Sequence, residues 1–172
     1  MADANQHAAN RISANVSNPT ESPQQRLLKG LLAGLIAGIA ATAVKTLADR
    51  FYPPRTHGEP EPENILAEKL AGHRLDSTTE EIASEAIHWG FGALTGAAYG
   101  ALAEFYPAAT AKEGATFGLA LMTLTHGKAL PAMGLSAPPE DQTLREMGSE
   151  AGSHIMYGVV TERVRGMVRK LL

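Results

Sequence analysis

Four stretches of the chain contain no Asp, Glu, Lys or Arg: residues 30–44, 86–103, 114–127 and 151–161. They are 15, 18, 14 and 11 residues long, and all 33 charged residues lie outside them. Runs of this kind belong to helices that are buried in a core or cross a membrane. At ~1.5 Å per residue the longest covers ~27 Å, against a bilayer core of ~30 Å. Window 86–103 nearly crosses unaided. Window 30–44 reaches the same length once Lys29 and Lys45 snorkel outward. Windows 114–127 and 151–161 cross only if polar residues at their ends lie in the protein interior or at the interface.

Helix breakers separate the windows: Tyr52-Pro53-Pro54, Tyr106-Pro107 and Ala137-Pro138-Pro139. Ser77 or Thr78, followed by Glu80 or Glu81, is a capping-box pattern ahead of the second window. Pro62-Glu63-Asn64 with Ile65, Leu66 and Leu70 predicts a short amphipathic helix over 62–71. Longer helices are expected near 24–50, 78–105, 111–128 and 141–171. The third is expected to stop where His126-Gly127-Lys128 gives way to Pro131-Ala132-Met133-Gly134. No strand alternation of useful length is present. Residues 1–22 show no hydrophobic period and read as a disordered tail. The first apolar run begins near Leu27, too late for a cleavable signal, and is expected to remain as an anchor. The expected fold is all-α: a helical membrane domain over 23–172, built as an antiparallel four-helix transmembrane bundle with the short helix in its first loop.

Ala and Gly make 46 of the 172 residues, which leaves few bulky side chains for a water-soluble core. The glycines are ordered. Gly30, Gly34 and Gly38 recur at spacing four in the first helix, and Gly92, Gly96 and Gly100 do so in the second. Glycine costs about 1 kcal/mol per helical position against alanine. Close helix–helix approach, as used inside membranes, compensates for that cost. The expected partner is therefore the lipid bilayer, together with a homo-oligomer or a membrane-protein partner.

A net charge of −3 with 5% aromatics gives neither the electrostatic footprint nor the stacking platform of a nucleic-acid binder. The absence of cysteine removes disulfides and thiolate chemistry. No nucleophile–base pair or Walker loop is present. Gly90-Phe91-Gly92 with Gly96 lies inside a helix and follows no strand, so it is no dinucleotide fingerprint. No enzymatic activity, cofactor or metal is expected.

Connectivity places the ionisable groups. If four helices run up and down, the first ends, the second begins, the third ends and the fourth begins on one side. Lys45, Glu85, His88, His126, Glu150 and His154 then converge at one end of the bundle. Glu85 and His88 are i, i+3, while Glu150 and His154 are i, i+4, so each pair shares a helix face. Ser84-Glu85-Ala86 before His88 is echoed by Ser149-Glu150-Ala151 before His154. Polar groups at membrane depth face the bundle interior or a watery cavity. Three histidines there predict a cluster that takes up protons near pH ~6.5 or binds a small polar ligand. Two alternatives stand beside this reading. One is a structural or partner-binding membrane protein without chemistry. The other is a metal-binding protein in which Glu85-x-x-His88 plays the part of a di-iron half-site. Glu104 and Glu162 are expected at the opposite end, paired with Arg163, Arg165, Arg169 and Lys170. Lys and Arg number 8 in the 50 residues on the side of the termini and 7 in the 64 on the other. This asymmetry favours cytoplasmic termini and an outward-facing cluster.

Four segments resemble the YagU-type inner-membrane proteins of bacteria, a family of unknown molecular function. They are Gly34–Gly38 leading to Lys45 and Tyr52-Pro53-Pro54-Arg55; His88-Trp89-Gly90 through Tyr99 to Glu104 and Pro107; His126 with Pro131–Leu135 and Pro138; and Ser149-Glu150 with Gly152, His154 and Glu162-Arg163. The resemblance covers about residues 27–170. It implies a multi-pass inner-membrane protein connected with acid tolerance, and it supplies no catalytic residues. This chain departs from it in its long polar N-terminal segment and its low aromatic content.

Overall fold

A computed structural model describes residues 21–55 and 58–172. The tail expected over 1–22 lies outside them except for Glu21 and Ser22. Among the described residues the chain is all-helical, with no strand. Helix α1 spans Pro23–Phe51, α2 Pro62–Ala71, α3 Ser77–Phe105, α4 Ala115–Leu124 and α5 Leu144–Arg169.

Local chemistry sets these limits. Ser22 and Gln25 form a reciprocal capping box, and Pro23 occupies the first turn, where it sacrifices no helical hydrogen bond. Thr143 and Glu146 do the same for α5, which therefore starts at Leu144 rather than near 141. The cap of α3 is Asp76, accepting from the Thr79 amide, and not Ser77 or Thr78. A carboxylate one residue earlier captures the free amides, and its charge complements the helix dipole. Gly72, at φ 73°, ends α2 in the left-handed conformation.

The third long helix differs most from expectation. Residues 107–114 form tight 3₁₀ turns in which Lys112 and Glu113 adopt left-handed angles, so α4 begins at Ala115 and not near 111. It also does not break at His126. It widens into a π turn over Thr125–Ala129 and continues through Leu130–Ala132. The wide turn is the backbone's answer to Pro131, which cannot donate and whose ring crowds the preceding turn. The chain leaves the helix at Gly134, with φ 62°.

Helix α1 lies between α3 and α5, and α4 packs on α5. The glycine seams run antiparallel. Gly30, Gly34 and Gly38 face Gly100, Gly96 and Gly92, while Gly114 and Gly118 face Gly158 and His154. At each seam a β-carbon would collide with the neighbouring backbone, so the glycines are what lets the helices touch. The two predicted stripes are thus consumed against each other within the chain.

Burial is inverted relative to a water-soluble bundle. The interior holds Ala33, Ala37, Ala41 and Ala97 beside Thr42, Ser149, Glu150, Ser153, His154, Thr161 and Arg165. The outside carries Leu32, Ile36, Ile39, Phe91, Leu94, Leu119, Leu124 and Met156. Among the described residues one helix, α1, is long and apolar enough to cross a membrane, with mean hydropathy 2.0 over its best window. The second window, expected to span most readily, falls short. Its Thr, Tyr, Trp, His and Gly residues lower the average where α1 has Leu and Ile.

The end holding the helix termini 23, 105 and 169 is closed by ion pairs. Arg165 donates to both oxygens of Glu162, each at 2.7 Å, and lies 3.8 Å from Glu104. Arg169 bridges Glu104 at 2.8 Å and Glu21 at 2.6 Å. The Tyr99 hydroxyl donates to Glu162 at 2.8 Å. Arg163 points elsewhere, to exposed Glu113.

Candidate functional site

The opposite end opens into a cavity of about 520 Å³ between the four long helices and α2. Its polar wall is built from residues far apart in sequence. Lys45 comes from the last third of α1, His126 from the π turn, and Glu150 and His154 from one face of α5. The Glu150 carboxylate is their meeting point. Its Oε1 lies 3.0 Å from His126 Nε2, 3.4 Å from His154 Nδ1 and 3.7 Å from Lys45 Nζ. Lys45 Nζ lies beyond hydrogen-bond reach and neither imidazole makes a directed bond to it, so Oε1 is buried without a hydrogen-bond partner. Lys45 has a closer partner, Asp49 Oδ2 at 2.7 Å, one turn further along α1. The other Asp49 oxygen, Oδ1, is also buried without a donor.

His154 is oriented by its own helix. Its Nδ1 donates to the Glu150 carbonyl at 2.8 Å, which leaves Nε2 with its lone pair. The rings of His126 and His154 stand 5.0 Å apart and nearly perpendicular, at 75°. The Tyr157 hydroxyl, deeper in the cavity, donates to the Gly92 carbonyl at 2.7 Å.

His88 belongs to a second group on the same cavity wall. Its Nδ1 meets Glu63 Oε1 at 2.9 Å, and its Nε2 meets Thr46 Oγ1 at 3.0 Å. A neutral imidazole satisfies both contacts, donating to Glu63 and accepting from Thr46. This arrangement ties α2 to α1 and α3. Burial would raise the Glu63 carboxyl, but the His88 hydrogen bond, reinforced by the charge of Arg55, more than reverses this and holds it below the usual glutamate value. Neighbouring Glu61, bonded to Arg55, is raised by burial.

Of the six residues predicted to cluster, Lys45, His126 and His154 meet at Glu150, and His88 lines the same cavity. Glu85 lines the same cavity at its exposed rim, apart from the Glu150 group, and accepts from the Trp89 indole at 2.8 Å. Asp49, Glu61, Glu63 and Thr46 are site residues that the sequence reading passed over. Asp49 was detectable, being four residues after Lys45 on one helix face. Glu63 was not, because its reach to His88 depends on how α2 docks.

A family model described as protein of unknown function (DUF1440) matches residues 39–163, and the chain belongs to that family. No curated protein and no solved structure matches it. The matched region contains every residue of the polar cluster, from Lys45 to His154.

Proposed function

We propose that this DUF1440 chain is a multi-pass helical protein of the bacterial inner membrane, of the YagU type. Its four long helices cross the bilayer, both termini are cytoplasmic, and the cavity holds a small polar ligand at the outward end. A role in acid and envelope stress, exerted through the Lys45/His126/Glu150/His154 cluster, is part of the proposal.

The inversion of burial carries this reading. Leu94 is 70% exposed and Leu124 62% exposed, whereas Glu150 and His154 are each 4% exposed. In water each such leucine forgoes ~1.5–3 kcal/mol of burial, and α1, α3 and α4 all display several. In lipid the same surface is satisfied, and the polar groups belong inside. Lengths agree. Helices α1 and α3 have 29 residues each and α5 has 26, or ~39–43 Å at ~1.5 Å per residue. Helix α4, continued through its π turn to Ala132, reaches ~27 Å, close to a ~30 Å core. The low hydropathy of α5 comes in part from Ser149, Glu150, Ser153, His154, Thr161 and Arg165, which face inward, and in part from the charges at its two ends. A homo-oligomer or partner protein would meet the leucine-bearing faces, since the glycine seams are already occupied.

Cell fractionation tests the reading. Alkaline carbonate should leave the protein in the membrane, and a C-terminal reporter should read cytoplasm. Release into the soluble fraction would overturn the membrane placement. Replacing His88, His126 and His154 together with Asn should abolish the acid phenotype of a deletion strain's complementation. Unchanged survival at low pH with normal expression would remove the stress role.

A further inference from the structure

We propose that His126, Glu150 and His154 bind one first-row divalent transition-metal ion. The inference deepens the reading above by naming the class of ligand at the polar pole of the cavity.

Three observations carry it. First, one ligand atom from each residue lies within 4.8 Å of the other two, and the residues come from two different helices. The 3.0 Å between His126 Nε2 and Glu150 Oε1 is near the separation of adjacent ligands around an ion held at ~2.0–2.1 Å. Second, Glu150 is 4% exposed, yet its Oε1 has no hydrogen-bond donor despite three nitrogens within 3.7 Å. A buried carboxylate oxygen in that condition is stabilised by a cation placed among those neighbours. Third, His154 has the backbone anchor that metal-ligating histidines commonly have. The Nδ1–H of His154 is anchored on a backbone carbonyl at 2.8 Å, which fixes the tautomer and ring orientation and frees Nε2.

Two imidazoles and a carboxylate suit Zn²⁺, Fe²⁺, Co²⁺ or Ni²⁺ better than Mg²⁺ or Ca²⁺, which prefer all-oxygen shells. Three protein ligands leave coordination positions open. All three residues line the cavity, so those positions face it. Lys45 is the competing cation. Its ammonium shares Glu150 at 3.7 Å but already bonds Asp49 Oδ2 at 2.7 Å, and Asp49 Oδ1 has room for another donor. A bound ion would displace Lys45 fully onto Asp49.

The test is Co²⁺ titration of the full chain, purified in detergent through a histidine-free tag. One equivalent of Co²⁺ should bind with visible d–d absorption, and Zn²⁺ should abolish that absorption by displacement. His126→Asn, at a half-buried position, should weaken binding at least tenfold, the lower end of the loss expected for disturbing such a site. His88→Asn, in the same cavity but outside the triad, should leave it intact. Lys45→Met should tighten binding about tenfold, the effect of removing one charge near a divalent ion at water-like screening. The last variant keeps the test informative if His126→Asn loses its helical circular dichroism. Absence of stoichiometric Co²⁺, or binding indifferent to both His126→Asn and Lys45→Met, would overturn the proposal. Protein that resists carbonate but binds no Co²⁺ loses the metal site only; protein that washes out yet binds one equivalent loses the membrane placement only.

Discussion

Replacing Gly96 by alanine probes the seam that sets the spacing of the cavity walls. Two effects oppose each other. In a helix free of neighbours, alanine stabilises by about 1 kcal/mol over glycine. At Gly96, however, the new carbon would lie 2.5 Å from the Gly34 carbonyl oxygen, 2.5 Å from Gly38 Cα and 2.7 Å from the Gly38 amide nitrogen. All three are backbone atoms of α1, so no side chain can turn aside. Restoring contacts of ~3.5 Å requires α1 and α3 to part by about 1 Å. The separation is shared along the seam, where the other five glycines lose close contact as well. Overpacking of this kind costs ~1–3 kcal/mol. The net expectation is a loss of up to ~2 kcal/mol after the helix-propensity gain is set against it. Gly152 is the control. It lies within α5, and a β-carbon there meets nothing within 4 Å. Gly152→Ala should be neutral or stabilising by up to ~1 kcal/mol. Thermal unfolding of the purified protein in one detergent, followed by helical circular dichroism, reads both. Opposite signs are expected. If Gly96→Ala unfolds at or above the wild-type temperature, backbone contact across the seam does not hold α1 to α3.

Two further perturbations separate structural charge from exposed charge and from pH-dependent docking. Arg165→Met should destabilise by ~3 kcal/mol, because Glu162 loses both guanidinium bonds and keeps only the Tyr99 hydroxyl, while Glu104 retains Arg169. Arg163→Ala, whose pair with Glu113 is exposed at both ends, should change stability by less than ~0.5 kcal/mol in the same unfolding assay. Glu63 lies outside the long helices and its carboxyl is held low, chiefly against burial, by His88. A depressed carboxyl stabilises the fold above its unfolded value and loses that contribution as pH falls through its folded value. Wild type should therefore exceed Glu63→Gln in melting temperature at neutral pH, and the gap should close as pH drops below ~4.3. A gap that does not change with pH would refute the assignment.

What could be read without coordinates was whatever local chemistry decides. The Tyr52-Pro53-Pro54 and Tyr106-Pro107 boundaries were legible because the missing proline amide acts within one turn, whereas the caps Ser22 and Thr143, equally local, were passed over. The convergence of Lys45, His126, Glu150 and His154 was legible because antiparallel connectivity fixes depth along a bundle. Rotation about each helix axis was not legible. Glu85 and His88 are separated by a fraction of a turn, yet Glu85 sits at the exposed rim bonded to Trp89 while His88 is held between Glu63 and Thr46. Only the packing of α3 on α1 and α2 makes that choice. The π turn was hidden for a similar reason. Pro131 announces a disturbance, but not whether the helix stops or widens there.

The two ends of the bundle use the same residue types in opposite ways, and that contrast locates the chemistry. At the closed end, Glu162 accepts two directed bonds from Arg165 and one from Tyr99, and Glu104 accepts from Arg169. Among these groups only the Nε of neighbouring Arg26 is left without a partner. Such a network gains rigidity from satisfaction and has nothing to offer a ligand. At the cavity end the cations and acids are just as near, yet Glu150 Oε1 and Asp49 Oδ1 remain undirected. A purely structural cluster would relax into bonds like those of Arg165, since the arginine end shows that this fold can arrange them. Strain against that relaxation persists where surrounding structure holds the groups in place, here the π turn under His126 and the carbonyl anchor under His154. The unsatisfied pole, and not the more heavily charged one, is where a ligand has free energy to gain.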